Sequence, residues 1–172
     1  PALITMLGDE DFDVSRNAAE ALGRIGPDAV PALINALDDN DPSVRHEAAE
    51  ALGRIGPVTA DVVPALTKAL DDNDPDVRAG AADALGNIGP AAAAAVPKLI
   101  TALRDKTKGV YSGTTVREHA ACALGRIGPA AAAAVPALIN ALRDEDSEMR
   151  QEAAEALGRI GPDAAAAVPA LI

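Results

Sequence analysis

The chain's single cysteine lies near one of its two histidines. Cys122 follows His119 by three residues, and Glu118 stands beside the histidine. On a helix this spacing places the thiol and the imidazole on one face, where they could act as nucleophile and base or as two metal ligands. A metal needs more such ligands, and a nucleophilic pair needs an orienting group and a pocket. We therefore predict a plain surface thiol, with neither a catalytic residue nor a metal or cofactor site.

The segment that carries this pair is one copy of a tandem repeat. The string Leu-Gly-Arg-Ile-Gly-Pro, with Asn for Arg in one copy, ends at Pro27, Pro57, Pro90, Pro129 and Pro162. A second string, Pro-Ala-Leu-Ile or a near copy, starts at Pro1, Pro31, Pro64, Pro97, Pro136 and Pro169. These starting prolines are 30, 33, 33, 39 and 33 residues apart, so the unit is about 33 residues long. Such a period is typical of stacked repeat architectures.

Each unit is predicted to form two helices. In the second helix, apolar residues recur at helical spacing, as in Val44, Ala48 and Leu52. Asp41-Pro42 begins that helix, because aspartate caps free backbone N–H groups and proline fits the first turn. Gly56-Pro57 ends it, because glycine adopts the left-handed turn and proline cannot continue the helix. No strand pattern is visible, and a lone helix pair cannot bury its apolar face, so neighbouring pairs must stack into a solenoid.

The first helix of the unit carries a proline near its front. In two copies a tract of five alanines precedes this proline, as at 91–95. There we expect the helix to start early and to kink at Pro97.

The composition and charge narrow the classes of partner. The chain has 172 residues, one Phe, one Tyr and no Trp, which fits alanine-rich helices packed closely together. Its formal charge of −11 disfavours nucleic acid, whose phosphates require clustered Lys and Arg. No apolar run approaches a bilayer span, so we predict no membrane insertion. A signal sequence is not visible, so the location is unknown and cytoplasmic by default.

The repeated residues resemble those of a known family. Asp39, Val44-Arg45, Ala48-Ala49 and Leu52-Gly53 match the pattern of HEAT repeats, most closely the short HEAT-like repeats named after phycocyanobilin lyases. The resemblance covers residues 1–172 as a single array of about five helix pairs and part of a sixth, with an insertion at 106–113. It implies an all-α, right-handed α-solenoid of stacked antiparallel helix pairs. It specifies the fold and leaves the activity open.

The resemblance also implies a ladder of charged residues that bond between successive repeats. The aspartates lie in the turn between the two helices, and the arginines lie early in the second helix. The predicted ladder comprises Asp39, Asp72, Asp105, Asp144, Arg45, Arg78, Arg117 and Arg150. We predict that it holds the superhelix together and does no chemistry. The first copy departs from the pattern, because Ser15 stands at the arginine position and Phe12 at the proline position.

In HEAT arrays the second helices line the concave face, and their polar side is the predicted protein-binding surface. It would carry an acidic strip beside a row of arginines. The predicted residues are Glu20, Arg24, Glu47, Glu50, Arg54, Asp83, His119, Cys122, Arg126, Glu152, Glu155 and Arg159. Such a surface would dock a partner that carries basic residues. The alternative is a solvated face whose Glu–Arg pairs, four residues apart, add little stability.

The fourth copy carries a second candidate surface. It is six residues longer than the common unit, and its extra loop includes Lys106, Lys108 and the single tyrosine, Tyr111. Insertions in solenoids collect on one face and often bind partners, although a surface loop is also tolerated without any role.

The leading functional prediction is a non-catalytic scaffold that binds another protein. Two alternatives from other classes remain. The resemblance to bilin lyase repeats implies tetrapyrrole attachment or an accessory role in it, although the aromatic residues that often line a bilin pocket are scarce. The second alternative is self-assembly, because the chain begins and ends inside a first helix, and uncapped ends would either continue in a longer array or stack on copies of the chain. Near-identical copies also fit a designed consensus protein, whereas the irregular unit lengths favour a natural array.

Overall fold

Ten α-helices make up the part of the chain that the computed structural model describes, residues 2–110 and 113–167. Their bounds are α1 Ala2–Thr5, α2 Phe12–Ile25, α3 Val30–Ala36, α4 Pro42–Ile55, α5 Val62–Ala69, α6 Pro75–Ile88, α7 Val96–Ala102, α8 Val116–Ile127, α9 Val135–Ala141 and α10 Ser147–Ile160. Odd-numbered helices are the first helices of the pairs and even-numbered helices are the second. The described residues form no strand beyond one isolated bridge between Lys108 and Thr115. The prediction of an all-α solenoid of stacked helix pairs is confirmed.

The second helices begin at side-chain caps. The Asp41 carboxylate accepts a hydrogen bond from the Ser43 N–H at 2.8 Å, and Asp11, Asp74 and Asp146 cap their helices in the same way. Helix α8 begins differently, with Glu118 accepting from both the N–H and the hydroxyl of Thr115. These bonds satisfy backbone N–H groups that have no partner within the helix.

The sequence predicts that the alanine tracts extend the first helices towards their start. In the structure, the tracts instead form separate 3₁₀ segments. Gly89–Ala95 is such a segment, and α7 begins only at Val96. An α-helix running through the tract would require a hydrogen bond from the nitrogen of Pro97, which carries no hydrogen. At the other end, Gly89 adopts a φ of +69° and turns the chain away from α6.

The core lies between the two layers of helices, and the second helices pack against one another in chain order from α2 to α10. Fully buried leucines such as Leu52, Leu85 and Leu124 fill it. At three of the four described crossings between adjacent second helices, from α4 to α10, a glycine of one helix meets an alanine of the next. A Cβ atom on Gly53 would lie 2.6 Å from the Cα of Ala84. Gly53 is therefore required by this close approach of two backbones.

The helical stretch Val116–Ala141 is long and apolar enough to cross a membrane by length and composition alone. Half of its most apolar window is buried within the protein, and the 3₁₀ segment Gly128–Ala134 interrupts it. Its two α-helices pack on their neighbours in the array. We therefore regard the stretch as part of the core.

Candidate functional site

A groove of about 500 Å³ crosses four consecutive second helices, α2, α4, α6 and α8. This central groove brings together the predicted residues Glu47, Glu50, Arg54, Asp83, His119 and Arg126. An adjoining cavity of about 320 Å³ contains Cys122 and Glu152 of the predicted set. The four remaining predicted residues, Glu20, Arg24, Glu155 and Arg159, lie outside both cavities, on the exposed surfaces of α2 and α10.

The acidic strip and the arginine row do not run as separate stripes, because the two rows pair with each other. Arg54 bonds to Glu50 at 2.8 Å, and Glu20–Arg24 and Glu155–Arg159 form the same pair four residues apart. Where Cys122 takes the place of the glutamate, Arg126 turns to the Asn87 amide oxygen at 2.8 Å. The groove is therefore mixed in charge, and these exposed pairs add little stability.

Glu47 differs from its predicted place on an exposed stripe, because the folded chain buries it. Its side chain lines the groove, yet the residue is only 4% exposed. One carboxylate oxygen, Oε2, has no hydrogen-bond partner among the described residues. Burial, aided by the negative charge of Glu50, raises the pKa of Glu47.

Sequence reasoning did not place His46 in the groove. Its Nδ1 atom donates to the backbone carbonyl of Asp76 at 2.9 Å, which joins α4 to α6. Gly80 makes this contact possible, because a Cβ atom there would lie 2.8 Å from the same nitrogen. The sequence contains one signal for this contact: Gly80 of α6 has no side chain at a position that faces a polar residue of α4, the preceding second helix.

His119 is held between two neighbours and does not activate the cysteine. Its Nδ1 lies 2.9 Å from Oδ2 of Asp83, and its Nε2 lies 2.6 Å from the Thr114 hydroxyl. Burial opposes its charge, but the hydrogen bond to Asp83 and nearby carboxylates outweigh burial and raise the pKa of His119. Burial is also the largest cause that raises the pKa of the Cys122 thiol. Since only a thiolate attacks efficiently, this arrangement favours an unreactive thiol.

Glu118, the third residue of the predicted chemical cluster, is committed to capping α8 through its bonds to Thr115. Across residues 2–110 and 113–167, no three His, Cys, Asp or Glu side chains are placed to hold a metal ion.

The insertion of the fourth copy is anchored to the third copy. The Val110 N–H donates to Oδ2 of Asp76, at the start of α6, at 2.8 Å. Lys106 and Lys108 are exposed, and Val110 is 86% exposed at the tip. Tyr111 lies outside the described residues. The loop therefore borders the end of the groove at which the second helices begin.

The ladder arginines bridge successive copies. Arg45 donates through Nε and Nη2 to both carboxylate oxygens of Asp72, each at 2.8 Å. Arg78 bonds to Asp105 at 2.8 Å in the next copy. This bidentate geometry is among the strongest for an ion pair, and the bonds lower the pKa of Asp72 despite its partial burial.

The ladder is incomplete at its ends. Arg117 continues it to Asp144 at 2.8 Å, but Arg150 bonds only to backbone carbonyls of its own turn among the described residues. At the other end, Ser15 supplies no guanidinium, and none of the described ion pairs includes Asp39. Asp39 instead caps its own turn by accepting from the Asp41 N–H.

A stack of helix pairs with an open groove across its second helices defines an α-solenoid repeat protein. The chain belongs to the HEAT repeat family, whose family model matches residues 1–62, 30–115 and 112–172. The resemblance inferred from the sequence is thereby confirmed.

Three solved structures are similar over nearly the whole chain. One is the complex of CpcE and CpcF of phycocyanin lyase from Nostoc sp., with 30% identity, a TM-score of 0.69 and coverage of 92% of this chain and 64% of that chain. YibA of Escherichia coli has 28% identity, a TM-score of 0.72 and coverage of 91% and 57%. An engineered protein has 30% identity, a TM-score of 0.62 and coverage of 99% and 82%. The chain thus spans less than two thirds of the two natural proteins. No curated protein sequence matches it significantly.

Proposed function

We propose that the chain is a non-catalytic scaffold that binds an extended segment of another protein in the central groove. The observation that carries the proposal is the groove itself, which crosses four helices and is open to solvent. Its volume of about 500 Å³ suits several side chains of a bound segment. One similar structure is of a complex between two proteins, CpcE and CpcF of phycocyanin lyase, which supports a protein partner.

Hydrogen bonds between neighbouring second helices fix two side chains that line the groove. His46 bonds from α4 to the backbone of α6, and His119 bonds from α8 to Asp83 of α6. Side chains that are already fixed lose little conformational entropy on binding.

The charges favour a partner with basic residues. Glu50 and Asp83 keep about a third of their side-chain surface accessible, at 35% and 38%. A lysine or arginine of a partner that approaches either carboxylate gains a charge-assisted hydrogen bond, and the charges set the rate and orientation of docking more than the affinity.

A labelled octapeptide of alternating arginine and glycine tests the proposal, with an octapeptide of alternating glutamate and glycine as the comparison. The double variant Glu50→Gln, Asp83→Asn is expected to weaken binding of the basic peptide about fivefold, which corresponds to about 1 kcal/mol. The matched control is Glu20→Gln combined with Glu155→Gln, which also removes two negative charges, but outside the groove. Equal binding of both peptides, or equal affinity of the double variant and the control, contradicts the proposal.

A lyase-like or accessory role is the second candidate, because one similar structure, at 30% identity, is a lyase complex. Among the described residues that line the groove, only Phe12 is aromatic. Titration of the protein with free bilin tests this role, since a bound bilin would shift its absorbance maximum. An unchanged spectrum contradicts it.

A further inference from the structure

Two departures from the repeat pattern meet in one cavity between the first two helix pairs. Ser15, at the position of a ladder arginine, and Phe12, at the position of a proline, both line a cavity of about 240 Å³. This cavity, the copy-one pocket, is also lined by Asp9, Glu10, Asp41 and Glu47.

The copy-one pocket lies where later copies hold an arginine. In the second copy, Nη1 of Arg45 donates to the backbone carbonyls of Asp39 at 2.9 Å and Asn40 at 3.1 Å. The corresponding residues, 30 positions earlier, are Asp9 and Glu10, and both line the pocket. The first copy therefore repeats the turn that receives a guanidinium group, without the residue that supplies one.

The serine does not fill this space. Ser15 is 4% exposed, and its hydroxyl donates back to the carbonyl of Phe12 at 3.0 Å, within its own helix. The carboxylates around a ladder arginine are nevertheless present. Asp41, which lines the pocket, corresponds to the aspartate at 74 that stands near Arg45. Asp39, which corresponds to Asp72, is two residues earlier in the chain and is not part of the pocket lining.

Glu47 adds an acceptor that the equivalent position facing Arg45 lacks. It lines the pocket, is 4% exposed, and keeps one carboxylate oxygen without a hydrogen-bond partner among the described residues. In the next copy the same position is Gly80, which has no side chain. A buried carboxylate oxygen without a donor is costly, and a donor from outside would satisfy it.

Phe12 gives the rim of the pocket an aromatic face. The residue is 52% exposed, although aromatic side chains are usually buried. A guanidinium group stacks on such a ring, which an ammonium group does less well.

We propose that the copy-one pocket binds an arginine side chain of a partner protein, whose guanidinium group takes the place of the missing ladder arginine. The inference deepens the proposed function and rests on it for the source of the arginine. Phe12, His46 and Glu47 line both the pocket and the central groove, so a chain that lies in the groove reaches the pocket. Arginine is favoured over lysine because the site offers carbonyls and carboxylates on several sides of a planar group.

Nuclear magnetic resonance titration with Nα-acetyl-arginine amide tests the pocket without any peptide. We expect saturable shifts of amide signals around Phe12 and Glu47, with a Kd of about 1 mM. Nα-acetyl-citrulline amide, which has the same shape without the charge, is expected to produce no saturable shift. Equal binding of the two probes, or no saturable binding of the arginine probe, overturns the proposal.

Ser15→Arg restores the pattern of the ladder and serves as the decisive variant. The new side chain should fill the pocket, abolish binding of the arginine probe and raise Tm by about 3 °C. Unchanged probe binding, or a lower Tm, would show that the pocket is not a vacant ladder position. Phe12→Pro keeps a residue suited to the first helical turn. It should weaken binding of the arginine probe several-fold without restoring the ladder.

The two proposals fail in distinguishable ways. One outcome is that Ser15→Arg leaves binding of the alternating arginine–glycine octapeptide unchanged while the Glu50→Gln, Asp83→Asn double variant weakens it. That result supports binding in the central groove and overturns the proposal for the copy-one pocket. If wild-type protein self-associates with increasing concentration and Ser15→Arg does not, the arginine comes from a second copy, and the assignment to a partner protein is overturned.

Discussion

The crossing of α4 and α6 gives the most quantitative prediction. In Gly53→Ala, the new Cβ would lie 2.6 Å from the Cα and 2.7 Å from the Cβ of Ala84. Ordinary contact begins near 3.4 Å, so the two helices must separate by about 0.8 Å at this point. The clash is with backbone, which cannot rotate away as a flexible side chain would.

Two effects of opposite sign decide the magnitude. Alanine improves helix propensity over glycine by about 1 kcal/mol. Overpacking of a dense core costs about 1–3 kcal/mol, and a backbone contact this short belongs at or above the upper end of that range. We expect Gly53→Ala to lower the free energy of unfolding by about 2 kcal/mol, which lowers Tm by about 4–8 °C for a chain of this size.

The repeat supplies a matched control in Gly158, which occupies the same motif position in α10. A Cβ atom there meets nothing within 4 Å among the described residues. Gly158→Ala should therefore show only the gain in propensity, about 1 kcal/mol, and raise Tm. Thermal and urea unfolding followed by circular dichroism measure both variants. If the two variants are equally stable, the close approach of α4 and α6 is not what requires glycine.

Further predictions concern Asp72, His119 and Cys122. Asp72→Asn should lower the free energy of unfolding in urea by about 2 kcal/mol, because it leaves Arg45 without its carboxylate partner. The control is Asp39→Asn, at a position that forms no ion pair with an arginine among the described residues, and it should change the free energy of unfolding by less than about 0.5 kcal/mol. Because the pKa of Asp72 is lowered in the folded state, its contribution is complete above the unfolded pKa of about 3.9 and is lost as the pH falls, so Asp72→Asn should flatten the acid limb of the stability curve. The pKa of His119 is raised in the folded state, so its contribution to stability is complete below the unfolded pKa of about 6.5 and is lost as the pH rises through the folded pKa. Asp83→Asn should lower the folded pKa of His119, measured by titration of its proton resonances. An unchanged pKa would contradict Asp83 as the cause. Cys122 should react with a disulfide reagent at pH 8 more slowly than free cysteine, because its pKa is raised, and a faster reaction would show an activated thiolate.

The sequence was sufficient for features that depend on a single repeat and its copies. The period, the capping aspartates and the Gly-Pro stops determine the helix pairs, and stacking follows because one pair leaves an apolar face unburied. The family resemblance indicated the charged ladder in the same way, since Arg45 and Asp72 recur at fixed positions.

The features that were missed depend on how closely a neighbouring helix approaches. Glu47 is polar and lies on the groove side of its helix, yet the packing of α4 against its neighbours buries it. The pattern of a single repeat does not mark His46, whose contact with the backbone of α6 depends on the missing side chain of Gly80. A helical projection of a single repeat contains no information about the distances between neighbouring repeats.

The glycine–alanine crossings also set how closely the second helices beneath the groove approach one another. Second helices contact one another closely, while first helices contact one another much less. The width of the groove therefore depends on small residues that lie beneath its polar side chains. Changing one small residue per repeat, in evolution or by design, would alter the spacing of the residues bound in the groove. Every residue that contacts the partner would stay the same.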